Sequence, residues 1–238
     1  MKAFILAAGL GTRLESLGLD VPKAMVPIGG KPLLQLHVET FREQGIRELI
    51  VNLHHLPEKI TDHFGDGSRF GVRITYSYEP QLLGTAGAVK KMEAALRDET
   101  FIVLYGDNLV RMRFAPLLAF HRANDSIATM ALYESAEPWT GGVVETDEGG
   151  RVRRFVEKPK REEVTTNLIS AGIYVFEPSV LDAIPAGQFS DFGKDILPKL
   201  LAEGKPVYAM CPRVYVRDIG TPERLIKARD DFERGVLN

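Results

Sequence analysis

The stretch AAGLGTRLESLGLDVPKAM, Ala7–Met25, follows directly on the apolar run AFIL, Ala3–Leu6. Gly9 and Gly11 let a backbone approach a ligand with no Cβ in the way, and Arg13 and Lys23 bring two cations to the same loop. Such a loop can turn amides toward anionic oxygens, with Arg13 as a bidentate phosphate donor and Lys23 as a mobile point charge. Two phosphate-binding patterns are excluded. The dinucleotide pattern G-x-G-x-x-G fails because Leu14 stands where the third glycine belongs, and the P-loop fails because no G-K-[ST] closes it. A glycine turn carrying two solvated cations stays open beside the phosphate reading.

The elements that must hold this loop follow from the apolar periodicity. AFILAA reads as a buried strand, PLLQLHVETFREQG as a helix capped by Gly45, and IRELIVNL as the next strand. PEKITDHFGDG is a short helix and turn, VRITYSY alternates like a strand, and GTAGAVKKMEAALRDE is a helix starting at small residues. FIVLYGDN is a second buried strand with an acidic residue at its carboxyl end. Strands alternating with helices imply right-handed crossovers and a mainly parallel sheet. The second half changes character. SIATMALYE, GGVVETDEGGRVRRFVEK and ISAGIYVFEP are strand-rich, with DEGG as a hairpin turn, and FGKDILPKLLAEG and PERLIKARDDFERG are helices. We read one α/β domain over residues 1–238, with a mixed, mainly parallel sheet, a β-rich elaboration and a soft division near residue 130.

Composition bounds the function classes. The chain has 238 residues, 45% hydrophobic and 26% charged, enough for one large domain with a full core. A formal net charge of −2 gives no global pull toward nucleic acid or an anionic membrane. The single cysteine, Cys211, forms no internal disulfide and fits a reducing compartment. MKAFILAAGLG has too short an apolar stretch for an export signal, and no run is long enough to span a bilayer. A cytoplasmic protein with no nucleic-acid or membrane partner is expected, and assembly into a homo-oligomer is left open.

Downstream segments decide between the readings of the loop. G-x-G-T-R-L followed by Pro22-Lys23 resembles the signature loop of the sugar-1-phosphate nucleotidylyltransferases. QLLGTAGAV (Gln81–Val89) resembles that family's base-recognition segment, and LYGDN (Leu104–Asn108) its metal-binding strand end. GGVVE (Gly141–Glu145), FVEKP (Phe155–Pro159), SAGIYVF (Ser170–Phe176) and RDIGTPE (Arg217–Glu223) follow in the family's order. Each segment alone is a weak signal; their shared order across nearly the whole chain is a strong one. The resemblance implies a Rossmann-like, three-layer nucleotide-binding fold, with a nucleotide-binding half at about 1–130 and a sugar-binding half at about 131–238. It also implies a reaction, in which a sugar 1-phosphate attacks the α-phosphorus of a nucleoside triphosphate and pyrophosphate leaves.

The resemblance then implies roles. Arg13 holds the β,γ-phosphates, where charge grows as pyrophosphate departs, and Lys23 serves the α-phosphate and the incoming sugar phosphate. Ala7, Ala8, Gly9, Leu10, Gly11 and Thr12 wrap the phosphates, and Gly84, Thr85, Ala86 and Gly87 face the base. Asn108, Gly142, Glu157, Lys158, Ser170, Ala171 and Gly172 form the sugar site. Asp107 and Asp218, each after a strand, are the expected Mg²⁺ ligands, since magnesium takes few carboxylates plus phosphate oxygens and water. Glu157 and Lys158 are neighbours on a strand and point to opposite faces unless the strand ends there, which Pro159 favours. His54 and His55 read as loop histidines and Trp139 as core packing, with sugar stacking close behind.

Departures bear on specificity. The loop reads RLESLGLDVPK where the family has RL-x-P-L-T, Ser170 stands at the usual Asn before AG, and Gly141 replaces the usual Tyr. The motifs look closest to the guanylyltransferases acting on mannose 1-phosphate or a manno-heptose 1-phosphate, which points to GTP. Uridylyl- and thymidylyltransferases share most of them. A non-catalytic nucleotide-sugar sensor is a further alternative, but it would be expected to lose the charged site residues. A dinucleotide-binding oxidoreductase is weakened by the missing third glycine. The chain closes soon after the DIGTPE helix, so neither the left-handed β-helix of acyltransferase fusions nor the extra domain of longer mannose enzymes is expected.

Overall fold

The computed structural model describes residues 1–9 and 21–236. From the N-terminus run β1 (Lys2–Leu6), the short β2 (Pro27–Ile28) and β3 (Lys31–Pro32), α1 (Leu33–Glu43), β4 (Glu48–Leu53), α2 (Pro57–Phe64) and β5 (Arg73–Tyr78). Next come α3 (Gly84–Lys91), α4 (Glu93–Leu96), β6 (Phe101–Tyr105), β7 (Asn108–Met112), α5 (Phe114–Ala123) and β8 (Ala128–Glu134). β9 (Gly142–Thr146), β10 (Val152–Glu157), β11 (Leu168–Phe176), α6 (Leu197–Ala202), β12 (Val207–Met210), β13 (Val214–Asp218) and α7 (Pro222–Glu233) complete the chain. The fold is α/β, with mixed, mainly parallel strands flanked by helices, as the alternation of elements predicts.

The chain packs into two compact units that interleave along the sequence. The first holds residues 1–82, 104–112 and 214–238; the second holds 83–103 and 113–213. In the first unit β4 lies between β1 and β5, parallel to both. Five of the six residues of β4 are buried, Leu49, Ile50, Val51 and Leu53 as apolar core and Asn52 as a buried polar group. β7 and β13 form a separate antiparallel ribbon in which Asp218 stands opposite Asn108. Val26, Ile28, Leu33, Leu36, Leu109, Ile219 and Leu225 make the apolar cluster behind that ribbon. Each such side chain contributes about 1.5–3 kcal/mol when fully buried. α7 starts on Thr221, whose side chain accepts from the Arg224 amide, with Pro222 at the first helical position.

In the second unit β11 pairs antiparallel with β8 and β9, β9 with β10, and β12 runs parallel to β8. The expected DEGG hairpin joins β9 to β10, with Gly150 at φ +79° and its amide on the Asp147 carbonyl. The single helix expected over GTAGAVKKMEAALRDE is broken at Met92, which takes φ −99° and ψ 21°, so α3 and α4 are separate. The helix expected at FGKDILPKLL opens with a wide π turn, Phe192–Ile196, ahead of α6. Pro198 has no N–H to return to the preceding turn. Phe192 anchors this segment by stacking on Phe176, with ring centroids 4.7 Å apart.

Candidate active site

In the first unit, three predicted residues meet. Lys23, on a helical turn after Pro22, places Nζ 2.9 Å from Asp107 Oδ2 and 3.1 Å from Asp218 Oδ1. The β7–β13 ribbon causes this: Asp218 ends β13 opposite Asn108, and Asp107 is the residue just before β7. Asp218 Oδ1 also accepts from the Gly220 amide at 2.8 Å, and Oδ2 from Arg224 Nη1 at 2.5 Å. Burial pushes the Asp218 carboxyl up, but Lys23, Arg224 and the Gly220 amide outweigh it and hold it below the ordinary value. Gly220 leaves room on this side of the cluster: a Cβ would stand 2.9 Å from Asp218 Oδ1 and 3.3 Å from Lys23 Nζ, so both side-chain ends would have to shift. Two carboxylates that share one ammonium can share one metal ion, so the donor set fits magnesium completed by phosphate oxygens and water. Among the described residues no group of three or more acidic, histidine or cysteine side chains could hold a metal.

The start of the glycine loop is fixed from below. The amides of Ala7 and Ala8 donate to Asn52 Oδ1 at 2.7 and 3.3 Å, and Asn52 Nδ2 donates to Glu79 Oε1 at 2.8 Å. Asn52 and Glu79 are both buried. Ala7 and Ala8 therefore have their amides committed to the protein. Gly9 is exposed, with open space where a Cβ would be. Leu10, Gly11, Thr12 and Arg13 lie outside the described residues. Gly106 brings the Asp107 turn against β1: its amide donates to the Leu6 carbonyl at 2.9 Å, and a Cβ there would stand 2.8 Å from Ile5 Cγ2. His37 is buried under this turn, its pKa lowered to about 4 by burial, against the opposing influence of the Asn108 and Gly106 backbone and the Asp107 charge. Asn108 is half-buried beside it. His54 bonds the Glu79 carbonyl through Nδ1, and His55 is exposed.

In the second unit, the small residues Gly84–Gly87 are packed by the protein's own backbone. Gly84 sits at φ +73°, and a Cβ would stand 2.4 Å from the Ser190 carbonyl oxygen; at Gly87 it would stand 2.6 Å from the Gln188 oxygen. The amides of Ala86 and Gly87 both donate to the Ser190 carbonyl. The Thr85 hydroxyl donates to Asp191 Oδ2 at 3.0 Å and accepts from the Phe192 amide at 2.8 Å. The half-buried edge at Gly84 and Thr85 remains accessible.

β10 ends at Glu157, and Lys158 turns into the left-handed region at φ +49° with its amide on the Gly141 carbonyl. The turn breaks the strand alternation at the position where two neighbouring side chains would otherwise point to opposite faces. Glu157 Oε1 and Lys158 Nζ lie 3.9 Å apart. Glu157 is wedged between two glycines, since a Cβ on Gly142 would stand 3.0 Å, and one on Gly193 2.8 Å, from its Oε2. Burial raises the Glu157 pKa; Lys158 opposes this, Asp191 adds to it and Lys194 opposes it. Ser170, Ala171 and Gly172 form the start of a bulge in β11, where pairing with β8 shifts between Ser170 and Tyr174 and Gly172 takes φ +70°. The Ser170 hydroxyl lies 2.8 Å from the Tyr174 hydroxyl and accepts from the Gly172 amide. Trp139 is half-buried, with the Arg161 guanidinium 4.2 Å above its ring.

Sequence reasoning missed Asn52, Glu79, Gly220 and Arg224 in the first unit, and Asp191 and Gly193 in the second. Gly220 lay inside the RDIGTPE segment and Arg224 directly after it, and Gly193 lay inside the expected FGKDILPKLLAEG helix. The partners of the others are remote in the chain, 45 positions apart for Ala7 and Asn52 and 106 for Thr85 and Asp191.

The sequence model of one family, described as Nucleotidyl transferase, matches residues 2–235. The chain belongs to the nucleotidyl transferase family. Two curated members show the range of its relatives. A UTP–glucose-1-phosphate uridylyltransferase from Synechocystis sp. is 41% identical over 100% of this chain and 64% of its own length. A mannose-1-phosphate guanylyltransferase from Mycobacterium tuberculosis is 38% identical over 99% of this chain and 66% of its own. This nucleotidyl transferase chain thus spans just under two thirds of the length of those relatives. Among solved structures, HddC from Yersinia pseudotuberculosis complexed with GMP-PN is 30% identical with a TM-score of 0.81, covering 97% of this chain and 99% of that one. Among the described residues, no helix is long and apolar enough to cross a membrane.

Proposed function

We propose that this nucleotidyl transferase moves a nucleotidyl group from a nucleoside triphosphate to a sugar 1-phosphate, releasing pyrophosphate. The observation that carries this reading is the Lys23 ammonium held jointly by Asp107 and Asp218. Two polyanions must approach each other, and Lys23 together with a divalent cation held by the two carboxylates would cancel their repulsion. Lys23 neutralises the α-phosphate and the attacking sugar phosphate. Arg13 takes the β,γ-phosphates, where charge builds as pyrophosphate leaves. Asp107 and Asp218 hold Mg²⁺, which when bound supplies electrostatic stabilisation of the phosphate oxygens. Gly9, Leu10, Gly11 and Thr12 wrap the triphosphate from a loop whose entrance Asn52 fixes through Ala7 and Ala8. The base lies along the edge at Gly84–Gly87. Asn108, Gly142, Glu157, Lys158 and Ser170–Gly172 serve the sugar, with Glu157 accepting from hydroxyls and Lys158 meeting the phosphate. The reaction is in-line and needs no covalent intermediate.

GTP with mannose 1-phosphate is the favoured pair, supported by the guanylyltransferase relatives and by the GMP-PN complex of HddC. A second pair, UTP with glucose 1-phosphate, is favoured by the 41% identical uridylyltransferase. The compartment proposed is the cytoplasm, where both substrate classes are made. A matrix of GTP, UTP, dTTP and ATP against mannose, glucose and manno-heptose 1-phosphates, read by pyrophosphate release, tests the assignment. The expected result is release that needs both substrates, highest with GTP and mannose or manno-heptose 1-phosphate. Release highest with UTP and glucose 1-phosphate transfers the assignment to the second pair, and no release with any pair rejects the activity.

A further inference from the structure

The segment Gln188–Lys194 is bonded on one side to the first turn of α3 and packed on the other against Glu157. On the α3 side, Ser190 donates to the Leu83 carbonyl at 2.9 Å, and its carbonyl accepts from Ala86 and Gly87 at 2.9 and 3.1 Å. The Thr85 hydroxyl bridges Asp191 Oδ2 and the Phe192 amide. Glycine at 84 and 87 permits this approach, so α3 cannot shift here without moving the segment. On the Glu157 side, Asp191 Oδ1 accepts from the Gly193 and Lys194 amides at 2.9 and 3.3 Å, while its own amide donates to Asp195 Oδ2 at 2.7 Å. This reciprocal cap fixes Gly193, the surface on which the Glu157 carboxylate rests.

We infer that Asp191 is a positioning residue that couples base choice to sugar choice, one carboxylate oxygen tying the α3 turn and the other tying the Gly193 wall of Glu157. The inference rests on the assignment of Gly84–Gly87 to the base and Glu157 to the sugar. Asp191 touches neither substrate in this account. It acts by making two neighbouring pockets share one rigid strap, so a base that displaces Thr85 also displaces Gly193. Selectivity for the two substrates is then not independent, although each is read by different side chains.

The test uses Thr85→Val, which keeps the shape of the side chain and removes the hydroxyl's bonds to Asp191 and to the Phe192 amide. Asp191→Ala removes both links, and Asp191→Asn is the conservative control, because its amide oxygen can keep the Gly193 cap while its amide nitrogen donates to the Thr85 hydroxyl. The readout is the ratio of kcat/KM for mannose over glucose 1-phosphate, measured with GTP and with UTP. With Asp191 present, Thr85→Val is expected to change this sugar ratio at least threefold, and with Asp191→Ala present, by less than 1.5-fold. An unchanged ratio with Asp191 present, or an equal change in both backgrounds, overturns the coupling. Amide hydrogen exchange at Gly193 and Lys194 reads the link without catalysis: Thr85→Val should accelerate it at least threefold, and unchanged exchange rejects the strap. Glu157→Gln run in parallel separates the two layers. If it leaves sugar kinetics untouched, the sugar assignment falls and the coupling with it; if it alters them while Thr85→Val does not, only the coupling falls.

Discussion

Glu157 carries its charge in a costly place. Burial raises its pKa, with Asp191 reinforcing the shift against Lys158 and Lys194. A raised folded pKa means that the folded protein binds the proton more tightly than the unfolded chain. The associated stability is fully present below the ordinary glutamate value of 4.5 and is lost as pH rises through the folded value. Glu157→Gln should therefore unfold at a higher temperature than wild type at pH 7, with the difference closing in acid, while its use of sugar 1-phosphate falls. Equal melting curves at pH 7 would remove the desolvation argument. Asn52 makes the opposite bargain. It is buried, and it satisfies two amides at the loop entrance and a carboxylate oxygen of Glu79. Asn52→Leu should cost about 2–4 kcal/mol in denaturant unfolding. It should also raise KM for the nucleotide more than for the sugar 1-phosphate. A variant with an unaltered nucleotide KM would show that the loop entrance holds itself.

At the scale of elements, the β9–β10 pair forms the seat of Glu157. A Cβ on Gly142 would stand 2.4 Å from the Phe155 ring, whereas on Gly149, in the hairpin, the nearest atom is Asp147 Oδ1 at 3.5 Å. Gly142→Ala should destabilise the protein by about 1–3 kcal/mol and weaken sugar use, since the ring and Glu157 must both give way. Gly149→Ala should be near neutral in both measurements, and equal effects from the two substitutions would dissociate the strand packing from the site. The strand–helix alternation, the Gly45 cap, the DEGG hairpin and the end of β10 at Glu157 were all legible, because each rests on neighbours in the chain. The break at Met92 and the wide turn at Phe192–Ile196 were not. The small residues of Gly84–Gly87 were legible as a place of close approach, but what approaches them is the carbonyl of Ser190, a partner that one sequence cannot name. The meeting of Lys23, Asp107 and Asp218 could be expected only through resemblance. The register of the β7–β13 ribbon creates it, and that register depends on residues 108–112 finding 214–218.

At the scale of the whole molecule, both compact units are assembled from segments distant in sequence, so the residues assigned to one substrate are scattered along the chain. Lys23, Asp107 and Asp218 bring a cation and two carboxylates together in the first unit, while Thr85, Asp191, Gly193 and Glu157 are linked in the second. Replacing either aspartate by asparagine removes a charge facing Lys23 without opening the apolar core. Asp107→Asn and Asp218→Asn should keep a cooperative melt, raise the Mg²⁺ concentration for half-maximal rate, and lower the rate about tenfold or more. Normal rates at limiting Mg²⁺ in both variants would place the metal elsewhere. The central claim is that bond making occurs at the α-phosphorus with a sugar 1-phosphate as acceptor. The most direct measurement follows GTP and UTP labelled at the α-phosphorus, incubated with mannose or glucose 1-phosphate and Mg²⁺. The account predicts that the label appears in a nucleotide sugar, one equivalent for each pyrophosphate released and none without the sugar 1-phosphate. Label recovered as nucleoside monophosphate, or remaining in the triphosphate with every acceptor, would contradict it.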